Sequence, residues 1–60
     1  MPLIQVSLIE GRTDAQKLAL AEGLTVATEK ALGAPRETIR IILTEVPARN
    51  WIIGGKPKGP

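Results

Sequence analysis

Hydrophobic positions recur along this chain in two different periods. The first run, Leu3-Ile4-Gln5-Val6-Ser7-Leu8-Ile9, is short, rich in Leu, Ile and Val, and closed by Glu10-Gly11. It predicts a β-strand. Alternation puts Pro2, Ile4, Val6 and Leu8 on one face and Leu3, Gln5, Ser7 and Ile9 on the other. Both faces are mostly apolar, as expected of a strand covered on both sides. The period then changes. Thr13 and Gln16 have the spacing of a capping box, in which each side chain satisfies an orphan backbone donor at a helix start. Asp14 suits the positive end of the helix dipole. The helix is predicted to run to about Leu32, with Leu20, Leu24, Ala27 and Ala31 on one narrow stripe and Glu22 and Glu29 roughly opposite. Leu18 and Val26 lie off the stripe, which predicts a second surface covered by another subunit. Gly33 supplies the C-cap, and Pro35 prevents the helix from resuming.

A second strand is predicted from Thr38 to Val46, with Ile39-Arg40-Ile41-Ile42-Leu43 at its centre and Pro47 as its breaker. Asn50-Trp51-Ile52-Ile53-Gly54-Gly55 reads as a short β segment reaching a Gly-Gly turn. Lys56-Pro57-Lys58-Gly59-Pro60 reads as a short tail with little capacity to pack alone. Strand, helix and strand at this spacing form one βαβ unit with parallel strands and a right-handed crossover. The fold class is therefore α/β (α+β), a single domain over residues 1–60. One helix leaves an open sheet with one uncovered face, a geometry that calls for partners.

Composition strengthens that expectation. A chain of 60 residues buries only ~60% of its unfolded surface and is marginal alone. There is no cysteine to make a disulfide and no histidine, which removes the commonest metal ligand and the usual general base. Of the staples open to small scaffolds, oligomerisation remains. Eight basic against six acidic residues give a net charge of +2, enough to permit an anionic partner. The basic residues are scattered and Trp51 is the only aromatic, which argues against nucleic acid. No run approaches the ~20 apolar residues of a membrane span, and no signal-peptide pattern opens the chain. A cytoplasmic protein without a membrane partner is expected.

Four positions carry the candidate chemistry. Pro2 follows Met1, and removal of the methionine leaves a free secondary amine at the start of a strand. An α-amino group titrates at about 7.7–8.0, and a dry, cationic pocket lowers that value. With Met1 in place the nitrogen is an amide and no base exists. Taken alone, Pro2 also reads as a simple strand opener. Arg12 follows Glu10-Gly11 just before the helix start, a good place for a carboxylate or for an ordinary solvated arginine. Arg40 sits inside an apolar strand, where a charge must be exposed, paired or used. Trp51 reads equally as a packing anchor or as the wall of a pocket.

Together these residues resemble a family. Pro2 behind Met1, the run Leu8-Ile9-Glu10-Gly11-Arg12-Thr13-Asp14-Ala15-Gln16-Lys17, Ala34-Pro35, Arg40-Ile41-Ile42 and Trp51-Ile52-Ile53-Gly54-Gly55 are similar to the 4-oxalocrotonate tautomerases, the short members of the tautomerase superfamily. The resemblance runs from Pro2 to Gly55. It implies a βαβ unit followed by a C-terminal β-hairpin, assembled as a homohexamer, a trimer of dimers. It places the catalytic base on Pro2, the two functional arginines on Arg12 and Arg40, the aromatic pocket residue on Trp51, and a substrate-holding main-chain amide on Ile9. It implies that Arg40 serves the pocket of another chain's Pro2. Relatives that hydrate unsaturated acids carry a carboxylate beyond the aromatic position. Here that stretch is Ile52-Ile53, so little hydratase or dehalogenase activity is expected.

The expected substrate is a small unsaturated 2-hydroxy or 2-oxo carboxylic acid such as 2-hydroxymuconate. Ketonisation moves a proton from oxygen to carbon, and one group of suitable pKa can both accept and donate it. Neutral Pro2 takes the proton and protonated Pro2 returns it at the other carbon. Arg12 holds a distal carboxylate, while Arg40 binds the other carboxylate or keto oxygen and stabilises the developing charge. This chemistry requires no cofactor or metal. Two rival expectations stand beside it: a non-catalytic partner subunit of a hetero-oligomer, and a related enzyme of another reaction, such as oxo-acid decarboxylation or a biosynthetic isomerisation.

Overall fold

A computed structural model describes residues 1–60. Strand β1 (Leu3–Ile9) pairs in parallel with β2 (Arg40–Val46), in register from Leu3 opposite Arg40 to Ile9 opposite Val46. The ladder extends one bond past each end. The Arg40 N–H donates to the Pro2 carbonyl at 3.0 Å, and the Glu10 N–H donates to the Val46 carbonyl at 2.9 Å. Helix α1 (Asp14–Leu32) crosses between the two strands. Its capping box is formed: the Gln16 N–H donates to Thr13 Oγ1 at 3.1 Å, and the Thr13 N–H donates to Gln16 Oε1 at 3.0 Å. Gly33 ends the helix at φ 66 and donates its N–H to the Glu29 carbonyl, a left-handed cap that glycine adopts without a Cβ penalty.

Three details depart from the sequence expectation. β2 begins at Arg40 rather than Thr38, because Arg36–Thr38 forms a 3-10 turn after Pro35. The helix stripe does not pass through Ala27 and Ala31, which are exposed. It runs instead through the half-buried Lys17, Leu20, Ala21, Leu24 and Thr28. Thr25 and Thr28 can sit toward the sheet because their hydroxyls donate to the Ala21 and Leu24 carbonyls at 2.8 and 2.7 Å, leaving their methyl groups to pack. Finally, Lys56-Pro57 is structured rather than a loose tail. It forms β4 (Lys56–Pro57), antiparallel to β3 (Ile52–Ile53), with Ile53 opposite Lys56. Gly54 and Gly55 join them at φ 58 and 82, as a type I′ hairpin turn demands at both positions.

Within the chain there is no core. Not one residue is buried, and Leu18, Leu32 and Ile53 are 71, 66 and 60% exposed. A compact monomer of 6.4 kDa has an accessible surface of about 3,800 Å²; this chain has 4495 Å². Its radius of gyration is 14.2 Å, where a compact chain of this length gives about 10.4 Å. The excess lies in a body measuring 41 × 24 × 13 Å. Leu3, Gln5 and Ser7 of β1 and Arg40, Ile42 and Thr44 of β2 form an open sheet face. β1 is therefore covered on one side only within the chain. No helix is long and apolar enough to cross a membrane.

Candidate active site

The parallel ladder brings Pro2 and Arg40 together by backbone, through the 3.0 Å bond from the Arg40 N–H to the Pro2 carbonyl. Their side chains leave on opposite faces. Arg40 is in register with Leu3 on the open face, whereas Pro2 shares the helix-covered face with Ile4 and Val6. Pro2 is half-buried and Met1 is 87% exposed, so removing the methionine sacrifices no packing. The Arg40 guanidinium donates from Nη1 to the Glu37 carbonyl at 2.6 Å. Its other donors have no protein acceptor.

Ile9 and Arg12 lie at the other end of β1. Seven residues at about 3.3 Å each put Ile9 roughly 23 Å from Pro2. Gly11, at φ 126, turns the chain from the strand toward the helix. Arg12 then lines an open hollow of about 310 Å³ with Leu8, Gln16, Lys17 and Leu20. Trp51 follows β2 beyond a short 3-10 turn (Ala48–Asn50) and is half-buried at the root of the hairpin. It too belongs to the end of the sheet remote from Pro2. The five sequence-selected residues thus form two groups: Pro2 and Arg40 at one end, and Ile9, Arg12 and Trp51 at or beyond the other.

Two basic features escaped the sequence reading. The Lys58 N–H donates to the Trp51 carbonyl at 2.8 Å, continuing the register of β3 and β4. Directly opposed residues of an antiparallel pair share a face, so Trp51, Ile53, Lys56 and Lys58 line one side of the hairpin. Neither lysine has an acidic partner. Alternation counted across the Gly-Gly turn could have found them. Arg36, in the link between the helix and β2, binds Glu22 and Glu29 of the helix. The seven-residue steps from Glu22 to Glu29 and from Glu29 to Arg36 were the available signal.

The two perturbed ionisations lie outside these five residues. The Lys17 pKa is raised, first by its hydrogen bond to Glu45 at 2.9 Å and then by Asp14 at 3.4 Å, against partial desolvation. The Arg36 pKa is raised chiefly by its hydrogen bond to Glu22. The Lys17 pair ties the helix to β2 through Glu45, and the Arg36 pairs tie it to the 3-10 turn before β2. No group of three or more acidic side chains converges as a metal site needs.

Known proteins match this chain over nearly its whole length. The family model described as tautomerase enzyme covers residues 2–60. A probable tautomerase, RSp0893 of Ralstonia nicotianae, is 59% identical over 97% of this chain and 83% of its own length. A 2-hydroxymuconate tautomerase of Pseudomonas putida is 47% identical over 92% of this chain and 87% of its own. Among solved structures, a heterohexamer 4-oxalocrotonate tautomerase from Chloroflexus aurantiacus J-10-fl superposes with a TM-score of 0.93 at 36% identity, covering 97% of this chain and 94% of that one. On sequence and on fold, the chain belongs to the 4-oxalocrotonate tautomerase family of the tautomerases and is an isomerase.

Proposed function

We propose that the protein is a cofactor-independent enol–keto tautomerase of small unsaturated 2-hydroxy or 2-oxo acids such as 2-hydroxymuconate, with the Pro2 amine as base and acid. The observation that carries this reading is the separation of Pro2 and Arg40 from Ile9, Arg12 and Trp51 in a chain with no buried residue. A chain that cannot bury a core alone associates, and association can set one end of a sheet against the opposite end of a neighbour's. The halves are chemically complementary. The Pro2 end offers a base on one face and the Arg40 guanidinium on the other, so it can serve two different sites, while the far end offers a main-chain amide, a guanidinium and an indole.

Proton transfer then follows. Pro2 takes the hydroxyl proton of the dienol, electrons shift along the conjugated chain, and the prolinium returns the proton to carbon. Arg12 grips the distal carboxylate through paired N–H donors. Arg40, from a second chain, neutralises charge developing on the oxygen that becomes the ketone. Both guanidiniums and the Trp51 wall disfavour the prolinium and bring its pKa toward neutrality. The 47% identical relative named for 2-hydroxymuconate supports that substrate, and the hexameric solved relative supports a hexamer.

Ketonisation of 2-hydroxymuconate, followed by ultraviolet absorbance for the mature protein and for Pro2→Ala, tests the reading. A fall of about 10²–10⁴-fold in kcat is expected, the usual contribution of a positioned acid–base group. An undiminished rate in the variant would sink it. The heterohexameric relative favours one second reading, that this chain is one of two subunit types. Native mass spectrometry of the purified chain distinguishes a homohexamer from a chain that assembles only with a different partner.

A further inference from the structure

Arg36 is the one side chain of the segment between the helix and β2 that hydrogen-bonds to the helix. Arg36 donates from Nη1 to Glu29 Oε1 at 3.1 Å and from Nη2 to Glu22. Glu22 and Glu29 are two helical turns apart on one face, so one planar guanidinium spans both. These pairs are exposed, and exposed pairs add little to stability. Their geometric consequence is larger. Arg36 opens the 3-10 turn, which is closed by the Thr38 N–H on the Pro35 carbonyl at 3.0 Å and the Ile39 N–H on the Arg36 carbonyl at 3.1 Å. The middle residue of that turn is Glu37, whose carbonyl accepts Arg40 Nη1 at 2.6 Å. The Arg40 backbone is already fixed to Pro2. Its guanidinium therefore has one protein support, and that support stands on a turn held by Arg36.

We infer that Arg36 is a positioning residue for Arg40, acting through the Glu37 carbonyl; the inference rests on the proposed role of Arg40 in binding substrate. The carbonyl occupies one of the five guanidinium donors and leaves the others for a carboxylate or enolate oxygen. Helix α1 thus sets the aim of a strand residue with which it shares no hydrogen bond. Loosening the turn lets the guanidinium swing, and a small misplacement of a charge-stabilising group is costly in the transition state.

Steady-state kinetics of Arg36→Met, Arg40→Ala and the double variant test this on the mature assembled protein. Arg36→Met is expected to lower kcat about tenfold with KM changed less than threefold, as for lost preorganisation rather than lost binding. Arg36→Lys, which keeps one ion pair, recovers part of the loss. In the Arg40→Ala background, Arg36→Met adds nothing further, because residues acting through one group are not additive. If Arg36→Met does not assemble, the Glu22→Gln, Glu29→Gln double variant loosens the same contact with Arg36 in place and is expected to behave alike. A full Arg36→Met penalty persisting on top of Arg40→Ala would overturn the inference, as would a wild-type kcat in Arg36→Met beside a crippled Arg40→Ala. A wild-type rate in Arg40→Ala itself would instead overturn the proposed site, and the inference with it.

Discussion

The two ends of the sheet are built on opposite principles. At the Pro2 end the candidate groups are braced from within the chain. Arg40 is tied by backbone to Pro2 and by side chain to Glu37, and the turn carrying Glu37 is tied to the helix by Arg36. At the other end Trp51 stands at the root of a two-residue-per-strand hairpin whose Ile52 and Ile53 are 54 and 60% exposed. Two-stranded hairpins are marginal in water at best, so in the proposed assembly this arm is fixed by what it docks against. The contrast teaches how a 60-residue chain can carry a site that needs rigid geometry. In the proposed assembly, one end is braced by the chain itself and the other is set by its neighbours.

That contrast can be broken from either side. The largest effects after loss of Pro2 itself belong to the arginines. Arg12→Ala and Arg40→Ala are each expected to lower kcat/KM by about a hundredfold, the scale of one lost charge-stabilising donor, with Arg12 weighing more on KM and Arg40 more on kcat. Steady-state kinetics on 2-hydroxymuconate separates the two, and a shared signature would erase the division of labour between the ends. A smaller effect sits on the arm. Lys58 shares the face of Trp51 and has no acidic partner, so Lys58→Gln is expected to raise KM about threefold at low salt. The difference shrinks as salt screens an exposed charge. An identical KM at all ionic strengths would remove the arm's cations from substrate binding.

The smallest effect concerns stability alone. Hydrogen bonding to Glu45 raises the Lys17 pKa above its ordinary 10.5. The charged form is therefore favoured by folding. Its contribution is complete below that value and is lost as pH rises through the folded pKa. Lys17→Met is expected to melt a few degrees lower than wild type near neutrality, the scale of a surface pair in a small domain. The gap should close in strongly alkaline solution. Melting curves at pH 8 and above pH 10.5 check the sign, and a gap that widens at high pH would contradict it.

Much of the fold is legible in the chain's residues. The Thr13–Gln16 capping box, the Gly33 cap and the Gly-Gly turn rest on local chemistry, the parallel strand pair rests on the crossover rule, and all four form. The resemblance carried by the run around Arg12 identified the family. Where tertiary choices enter, the sequence is less informative. Ala27 and Ala31 fit an apolar stripe by composition, yet Thr25 and Thr28 displace them because a threonine that bonds its own helix backbone can face a sheet. Lys56-Pro57 looks like a tail because a two-residue strand carries no periodicity of its own, and only the register set by Gly54-Gly55 defines it. Arg36 looks like a loop arginine because its two carboxylates are 14 and 7 residues away. Arg12 and Arg40 are legible as residues, but nothing in a linear chain says that they lie at opposite ends of the sheet.

The central claim is that each site is shared between chains, and mixing variants tests it most directly. Pro2→Ala and Arg12→Ala proteins, each nearly inactive, are unfolded together, refolded in equal amounts, and assayed on 2-hydroxymuconate. If Pro2 and Arg12 of one site come from different chains, random assembly leaves about one site in four with both residues intact, and that share of wild-type activity returns. If both residues come from one chain, no assembly of the two variants contains an intact site. Activity no higher than that of the separately refolded variants would contradict the account.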